Sequence, residues 1–129
     1  MPTRGIRGAV TSDADSQEAI LASTRELLQA ILAANPELET EDIASVFFTV
    51  TDDLSAVHPA LAARQMGWTD VPLLCAREIP VPGSLPLTIR VLLHWNTELP
   101  QGAIRHVYLG DASALRPDQN VADLLNQSR

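Results

Sequence analysis

Between residues 87 and 97 the chain alternates residue by residue, and the two faces it generates are unlike. The odd positions, Leu87, Ile89, Val91, Leu93 and Trp95, form an unbroken apolar row. The even positions, Thr88, Arg90, Leu92, His94 and Asn96, are mixed, with Arg90 flanked by apolar neighbours. A strand sends alternate side chains to opposite faces, so one face of this strand belongs under helices and the other does not. A guanidinium cannot shed its proton to escape burial. Arg90 therefore needs an anionic partner, which a carboxylate of the chain or an anionic ligand can supply. The mixed face can also be covered by another copy of the chain, placing Arg90 at a subunit junction.

The rest of the chain supplies the elements around that strand. Residues 4–11 read as a strand. Asp15 or Ser16 is set to cap a helix, with Glu18 three residues after Asp15 as in a capping box. Ile20, Leu21, Thr24, Leu27, Leu28, Ile31 and Leu32 then recur at helical spacing until Asn35-Pro36. Residues 40–43 predict a short helical turn, and 46–51, rich in β-branched and aromatic residues, a strand. Pro59 and Gly67 bracket a second helix over 60–66. Residues 71–77 predict a third strand, 80–83 a turn, and 105–109 a fifth strand. The polar tail from about 117 is expected to be mobile. With no repeat or linker, residues 1–129 read as a single domain. Two good helices cannot cover both faces of such a sheet, so the expected fold class is α+β, with helices on one face.

Composition narrows the function. The chain has 129 residues and 46% hydrophobic residues, enough to bury roughly two-thirds of its unfolded surface. Its formal net charge is -7, which leaves no electrostatic footprint for a phosphate backbone, so no nucleic-acid partner is expected. All nine basic residues are arginine, and the absence of lysine removes Schiff-base chemistry and a phosphate-loop lysine. One cysteine excludes an intramolecular disulfide framework. No apolar run approaches the ~20 residues that span a bilayer, and no signal-peptide core opens the chain, so a soluble cytoplasmic protein without a membrane partner is expected. His58, His94 and His106 lack metal-ligand spacing, and neither a nucleophile elbow nor a dinucleotide fingerprint is present. No metal or cofactor is expected, and any site here works without a nucleophile.

Four other segments invite a chemical reading. Arg4-Gly5-Ile6-Arg7-Gly8-Ala9 puts two arginines on opposite faces of a strand whose glycines permit close backbone approach; alone, it reads as an exposed edge. Cys75 and Glu78 stand together near the end of the third strand, where a lone cysteine is ordinarily a small hydrophobe. Tyr108, the single tyrosine, lies in Ile104-Arg105-His106-Val107-Tyr108-Leu109. Leu115-Arg116-Pro117-Asp118 reads as a turn into the tail.

Taken in order, these segments together with Cys75-Ala76-Arg77-Glu78 and Ile89-Arg90-Val91 resemble the monofunctional, AroH-class chorismate mutases over residues 4–118. The resemblance implies a five-stranded mixed sheet with helices on its outer side. It implies a homotrimer whose sheets join around a pseudo-barrel core, with active sites at the subunit interfaces. It also implies the rearrangement of chorismate to prephenate in phenylalanine and tyrosine biosynthesis, a pericyclic reaction needing neither nucleophile nor proton transfer.

Roles follow from the resemblance residue by residue. Arg90 matches the arginine facing the breaking ether oxygen and a substrate carboxylate. Arg7 matches a second carboxylate-binding arginine, and Tyr108 a hydroxyl donor to a carboxylate. Glu78 and Cys75 match the residues near the ring hydroxyl, and Arg64 and Arg116 peripheral arginines, the latter where the tail closes over the site. On this reading Arg90, Glu78 and Arg7 are catalytic, and Leu74, Cys75, Tyr108, His58, Arg64 and Arg116 help bind substrate. The chain departs from the family pattern at His58, where phenylalanine is common, at Leu61, where lysine is, and at Leu74, where threonine is. The alternative is a non-catalytic trimer of the same architecture that binds a small carboxylate. Such a binder needs the arginines but has no evident use for Glu78 and Cys75.

Overall fold

A computed structural model describes residues 1–115. The long helix forms where the apolar spacing predicts it. Helix α1 (Gln17–Ala34) buries Ile20, Leu21, Thr24, Leu27, Leu28 and Ile31 along one stripe, the leucines and isoleucines each worth roughly 1.5–3 kcal/mol if fully withdrawn from water. Ser16 is its cap, accepting from the Ala19 N–H at 3.1 Å. The capping box anticipated with Asp15 and Glu18 does not form, because the Asp15 carboxylate is engaged by the backbone N–H groups of Ser55 and Ala56.

Five strands follow: β1 (Thr3–Thr11), β2 (Ile43–Val50), β3 (Leu73–Arg77), β4 (Thr88–Asn96) and β5 (Val107–Leu109). Helix α2 (Ala60–Gln65) starts at Pro59 and stops before Gly67, whose φ of +92° completes the turn. The sheet order is β3-β2-β4-β1-β5. Strand β4 pairs antiparallel with β1 and β2, while β1–β5 and β2–β3 are parallel. This is the expected mixed sheet, with one difference. The segment Arg4-Gly5-Ile6-Arg7-Gly8-Ala9, which alone reads as an edge, belongs to an inner strand: the short β5 pairs on the outer side of Gly8 and Ala9, while the Gln101 and His106 side chains bond the outer backbone of Gly5 and Arg7. Pairing partners far apart in the chain are what local patterning cannot reveal.

From Ile89 on, the β4 alternation comes out as read, but Leu87 stands before the strand with a φ of +52° and Thr88 is buried. Ile89, Val91, Leu93 and Trp95 are each at most 4% exposed and join one core cluster with Ile6, Val10, Val46, Phe48 and the stripe of α1; α2 adds Ala60 and Ala63 to it. Both helices therefore sit on one face. Gly8 points into that core, where a Cβ would lie 3.1 Å from Ile31 Cδ1, Val91 Cγ1 and Val107 O. Here the glycine permits close approach of a helix and a neighbouring strand. On the other face, register sets Leu74, Phe47, Leu92 and Arg7 side by side across four strands. Leu74, Phe47 and Leu92 remain 58%, 41% and 39% exposed.

Asn35 ties the end of α1 to the approach to β5. It is 4% exposed, and its side-chain amide donates to Ile31 O at 2.9 Å and to Arg105 O at 3.0 Å, while its carbonyl accepts from Arg105 N–H at 3.0 Å. One side chain thus satisfies both backbone groups of Arg105, as a strand partner would. Asn35→Ala leaves both groups orphaned near the core and is expected to cost about 2–4 kcal/mol. Urea unfolding measures that loss, and amide exchange should show 105–109 opening first.

Candidate active site

The open face of the sheet carries a polar row beside the apolar one. Register aligns Ala76, Thr49, Arg90 and Ala9 across β3, β2, β4 and β1, with Tyr108 of β5 opposite Ala9. Arg90 therefore stands on the central strand between two small neighbours. Arg7, two residues before Ala9, shares the same face of β1. Together Arg7, Arg90 and Tyr108 line a cleft of about 370 Å³, rimmed by Ala114 and Leu115.

Two backbone features hold that rim. Arg7 N–H donates to His106 Nδ1 at 2.9 Å, which in a neutral ring leaves the proton on Nε2. Gly110 turns the chain out of β5 with a φ of +60°, and a Cβ there would lie 2.8 Å from Thr11 Oγ1. A side chain at this position meets both a strained backbone and a clash.

Arg90 has unmet bonding capacity. Its Nε is buried and, among the described residues, has no hydrogen-bond partner. Glu78 Oε1 stands 3.6 Å away, close enough to pair the charges and too far for a hydrogen bond. The Thr49 hydroxyl donates to that same Oε1. Glu78 and Arg90 also line an adjoining cleft of about 240 Å³, walled by the loop that carries Ile79 and Val81. A permanent cation with an unsatisfied donor, beside a second arginine and a phenol, is a receptor for carboxylate oxygens.

The remaining residues singled out in the sequence are elsewhere on the chain. Cys75 pairs in register with the buried Phe48 and packs against the core cluster, so it lies on the opposite face from Arg90. With His58 it lines a separate cleft of about 310 Å³ near the β3 edge. Leu74 is exposed on the open face, and Arg64 is exposed in the last turn of α2. Arg116 and the tail from 117 lie outside the described residues. Among the described residues, no group of three His, Cys, Asp or Glu is arranged to hold a metal ion, and no helix is long and apolar enough to cross a membrane.

Sequence reasoning missed Thr49, whose partner Glu78 becomes visible only when the β2–β3 register is known. It also missed Asp15, which fixes the loop bearing the His58 cleft. The Asp15 carboxylate accepts from Ser55 N–H at 2.9 Å, Ala56 N–H at 3.0 Å and Ser55 Oγ at 3.2 Å. These bonds, led by the Ser55 amide, lower its pKa from the ordinary value; desolvation opposes them, and the Arg77 charge adds to them.

By fold and cleft, the chain is a small α+β domain whose sheet presents Arg7, Arg90 and Tyr108 to a cleft on the face its helices leave open. The model of the family described as "Chorismate mutase type I" matches residues 3–119. Chorismate mutase AroH of Thermus thermophilus is 59% identical over 115 residues, covering 89% of this chain and 94% of that protein. Chorismate mutase AroH of Bacillus subtilis (strain 168) is 44% identical over 119 residues, covering 92% and 93%. A solved chorismate mutase from Clostridium thermocellum superposes with a TM-score of 0.83 at 48% identity, covering 85% of this chain and 97% of that one. This chain belongs to the chorismate mutase type I family.

The Asp15 contacts carry a pH signature. A carboxylate whose folded pKa is depressed stabilises the fold above its unfolded pKa, ~3.9, and loses that contribution as pH falls through the folded value. Asp15→Ala should therefore be less stable than the parent at neutral pH. The difference should shrink once pH drops below the ordinary carboxylate range, as denaturant melts at a series of pH values will show.

Proposed function

We propose that the protein is a chorismate mutase, an isomerase converting chorismate to prephenate in the cytoplasm on the route to phenylalanine and tyrosine. The observation that carries this reading is the buried Arg90 Nε, with no hydrogen-bond partner among the described residues, at the margin of a cleft shared with Arg7 and Tyr108. In the rearrangement the carbon–oxygen bond breaks ahead of carbon–carbon bond formation, and negative charge gathers on the ether oxygen. A fixed cation at that point binds the transition state more strongly than the ground state. Arg7, Arg90 and Tyr108 clamp the two carboxylates, selecting the folded conformer in which the reacting carbons meet. The arginine cluster offsets the long-range repulsion that a chain of net charge -7 exerts on a dianion.

On this reading the catalytic groups are Arg90, Arg7 and Glu78, the last accepting from the ring hydroxyl. The working form is a homotrimer of single-domain chains, 1–129, closed into a pseudo-barrel. Two features support that assembly. The stripe Leu74–Phe47–Leu92 is apolar and exposed on the face without helices, as a surface awaiting a second copy would be. The clefts lined by Cys75 with His58 and by Arg7 with Tyr108 lie toward opposite edges of the sheet. A site between subunits takes one cleft from each of two copies. Cys75 then reaches the ring hydroxyl from the neighbour, His58 and Leu74 shape the entrance, and Arg64 and Arg116 stand at its periphery.

The purified protein alone, without added cofactor, should abolish the ultraviolet absorbance of chorismate. Arg90→Ala should lower kcat by at least about 10³-fold, since removing even one neutral oxyanion donor costs roughly 10²–10³. Arg90→Lys keeps the charge but loses the fork, and should recover only part of the rate. Turnover within tenfold of the parent in folded Arg90→Ala trimers would make this arginine structural. In light scattering the parent should have three times the mass of the chain. Phe47→Glu, which puts a charge on the apolar stripe, should abolish that trimer and, with it, the stable fold.

A further inference from the structure

We propose that Thr49 is a positioning residue for Glu78, holding one carboxylate oxygen so that the other is presented to the substrate's ring hydroxyl. The inference rests on the chorismate mutase reading and extends it to a residue outside the set singled out by resemblance. Thr49 lies directly opposite Arg90 in the β2–β4 register, on the open face. Its hydroxyl donates to Glu78 Oε1, the same oxygen that faces Arg90 Nε at 3.6 Å. Both neighbours thus address Oε1, and Oε2 is the oxygen left for a ligand.

Glu78 needs such a restraint because its own backbone supplies little. It follows the last residue of β3 and is anchored to β2 by its N–H to Val50 O at 2.9 Å. Beyond it the chain runs into a loop with Ile79 and Val81 exposed at 78% and 57%. A glutamate there has three rotatable bonds and a guanidinium within reach. Without a competing donor, the carboxylate closes onto Arg90 in the short, forked geometry that arginine favours. That closed pair occupies the cation that the substrate requires. By donating to Oε1 from the fixed backbone of β2, Thr49 keeps the two charges associated but not closed. A hydroxyl on the open face of a strand ordinarily bonds to water. Here it is committed to Glu78, the carboxylate that faces Arg90.

The test uses full-length trimers and chorismate. Thr49→Val keeps the shape and branching of the side chain and deletes the hydroxyl, so β2 should be undisturbed. It should lower kcat/KM about tenfold, the loss expected for a hydrogen bond to a charged group. Thr49→Ser should recover to within about threefold of the parent. In a Glu78→Ala background, Val at 49 should change kcat/KM less than twofold, because a residue acting through Glu78 has nothing left to position. A merely structural threonine gives the same loss in both backgrounds, and that result overturns the proposal, as does a loss below threefold in the single variant. If Glu78→Ala itself retains the parent's kcat/KM, the role assigned to Glu78 fails along with that of Thr49. A strong Glu78→Ala defect beside a silent Thr49→Val removes Thr49 alone. Should the valine variant not assemble, Thr49→Ala, which only removes atoms, carries the same expectations.

Discussion

A charge that cannot be discharged sits on the central strand of the sheet, and the rest of the molecule is arranged around it. Arg90 occupies β4, which is hydrogen-bonded on both sides, so its backbone is fixed and its Nε stays buried although 39% of the side chain is exposed. Buried lysines and histidines can lose a proton under such pressure, whereas arginine keeps its charge. The flanking positions on its face are Ala9 and Thr49, small enough to leave room beside the guanidinium. The nearest carboxylate, Glu78, is held just short of a closed pair. A fully neutralised Arg90 would be a structural ion pair and nothing more. What distinguishes this site is that the Arg90 Nε faces Glu78 at 3.6 Å without a hydrogen bond to it, which leaves that group able to donate to an outside partner.

The apolar half of β4 accounts for much of what was legible in the sequence. A period of two on one segment and a period of 3.6 on α1 are local signals, and each produced the element and the buried face it implied. The inference that helices cover one side only needed no pairing information, just a count of amphipathic helices against strands. Strand order was a different matter. The place of β1 inside the sheet depends on β5, three residues long, and on the Asn35 bridge that brings Arg105 to the end of α1. Neither leaves a periodic trace. The capping box failed for a related reason. Asp15 had two available uses, the start of α1 or the turn at Ser55 and Ala56, and the turn exists only once the sheet and helices have assembled.

The site was legible in two unequal parts. Arg90 announced itself as a charge among apolar neighbours, which is a physical anomaly that a single sequence can display. Arg7, Glu78, Cys75 and Tyr108 carry no such mark, since each has an ordinary reading in its own segment, and only the ordered resemblance joined them. Folding then divided them. Arg7 and Tyr108 share a cleft with Arg90, Glu78 adjoins it, and Cys75 faces the core side of β3 beside the His58 cleft. Residues three apart in a strand point to opposite faces, so the nearness of Cys75 and Glu78 in sequence does not put their side chains together in one chain.

That division bears on why such a reaction suits a sheet. A unimolecular rearrangement asks the protein for fixed separations and fixed charge, with no group that must travel between states. Adjacent strands hold their side chains about 5 Å apart, and the hydrogen-bond ladder on either side prevents drift. Arg7, Thr49 and Arg90 all project from strands of this kind, while the loop after Glu78 and the segment after Gly110 wall the clefts at the margins. Rigid elements carry the positions and irregular ones carry the exchange with solvent. The single-chain sheet nevertheless leaves the stripe Leu74–Phe47–Leu92 in water, beside the row that holds Arg90. Water at that stripe would weaken every charge in the adjoining row, because a cation acts on a developing anion most strongly where the dielectric is low. In the trimer proposed above, the covering that removes this apolar surface from solvent would also strengthen the guanidinium, so assembly and electrostatic stabilisation would be one requirement.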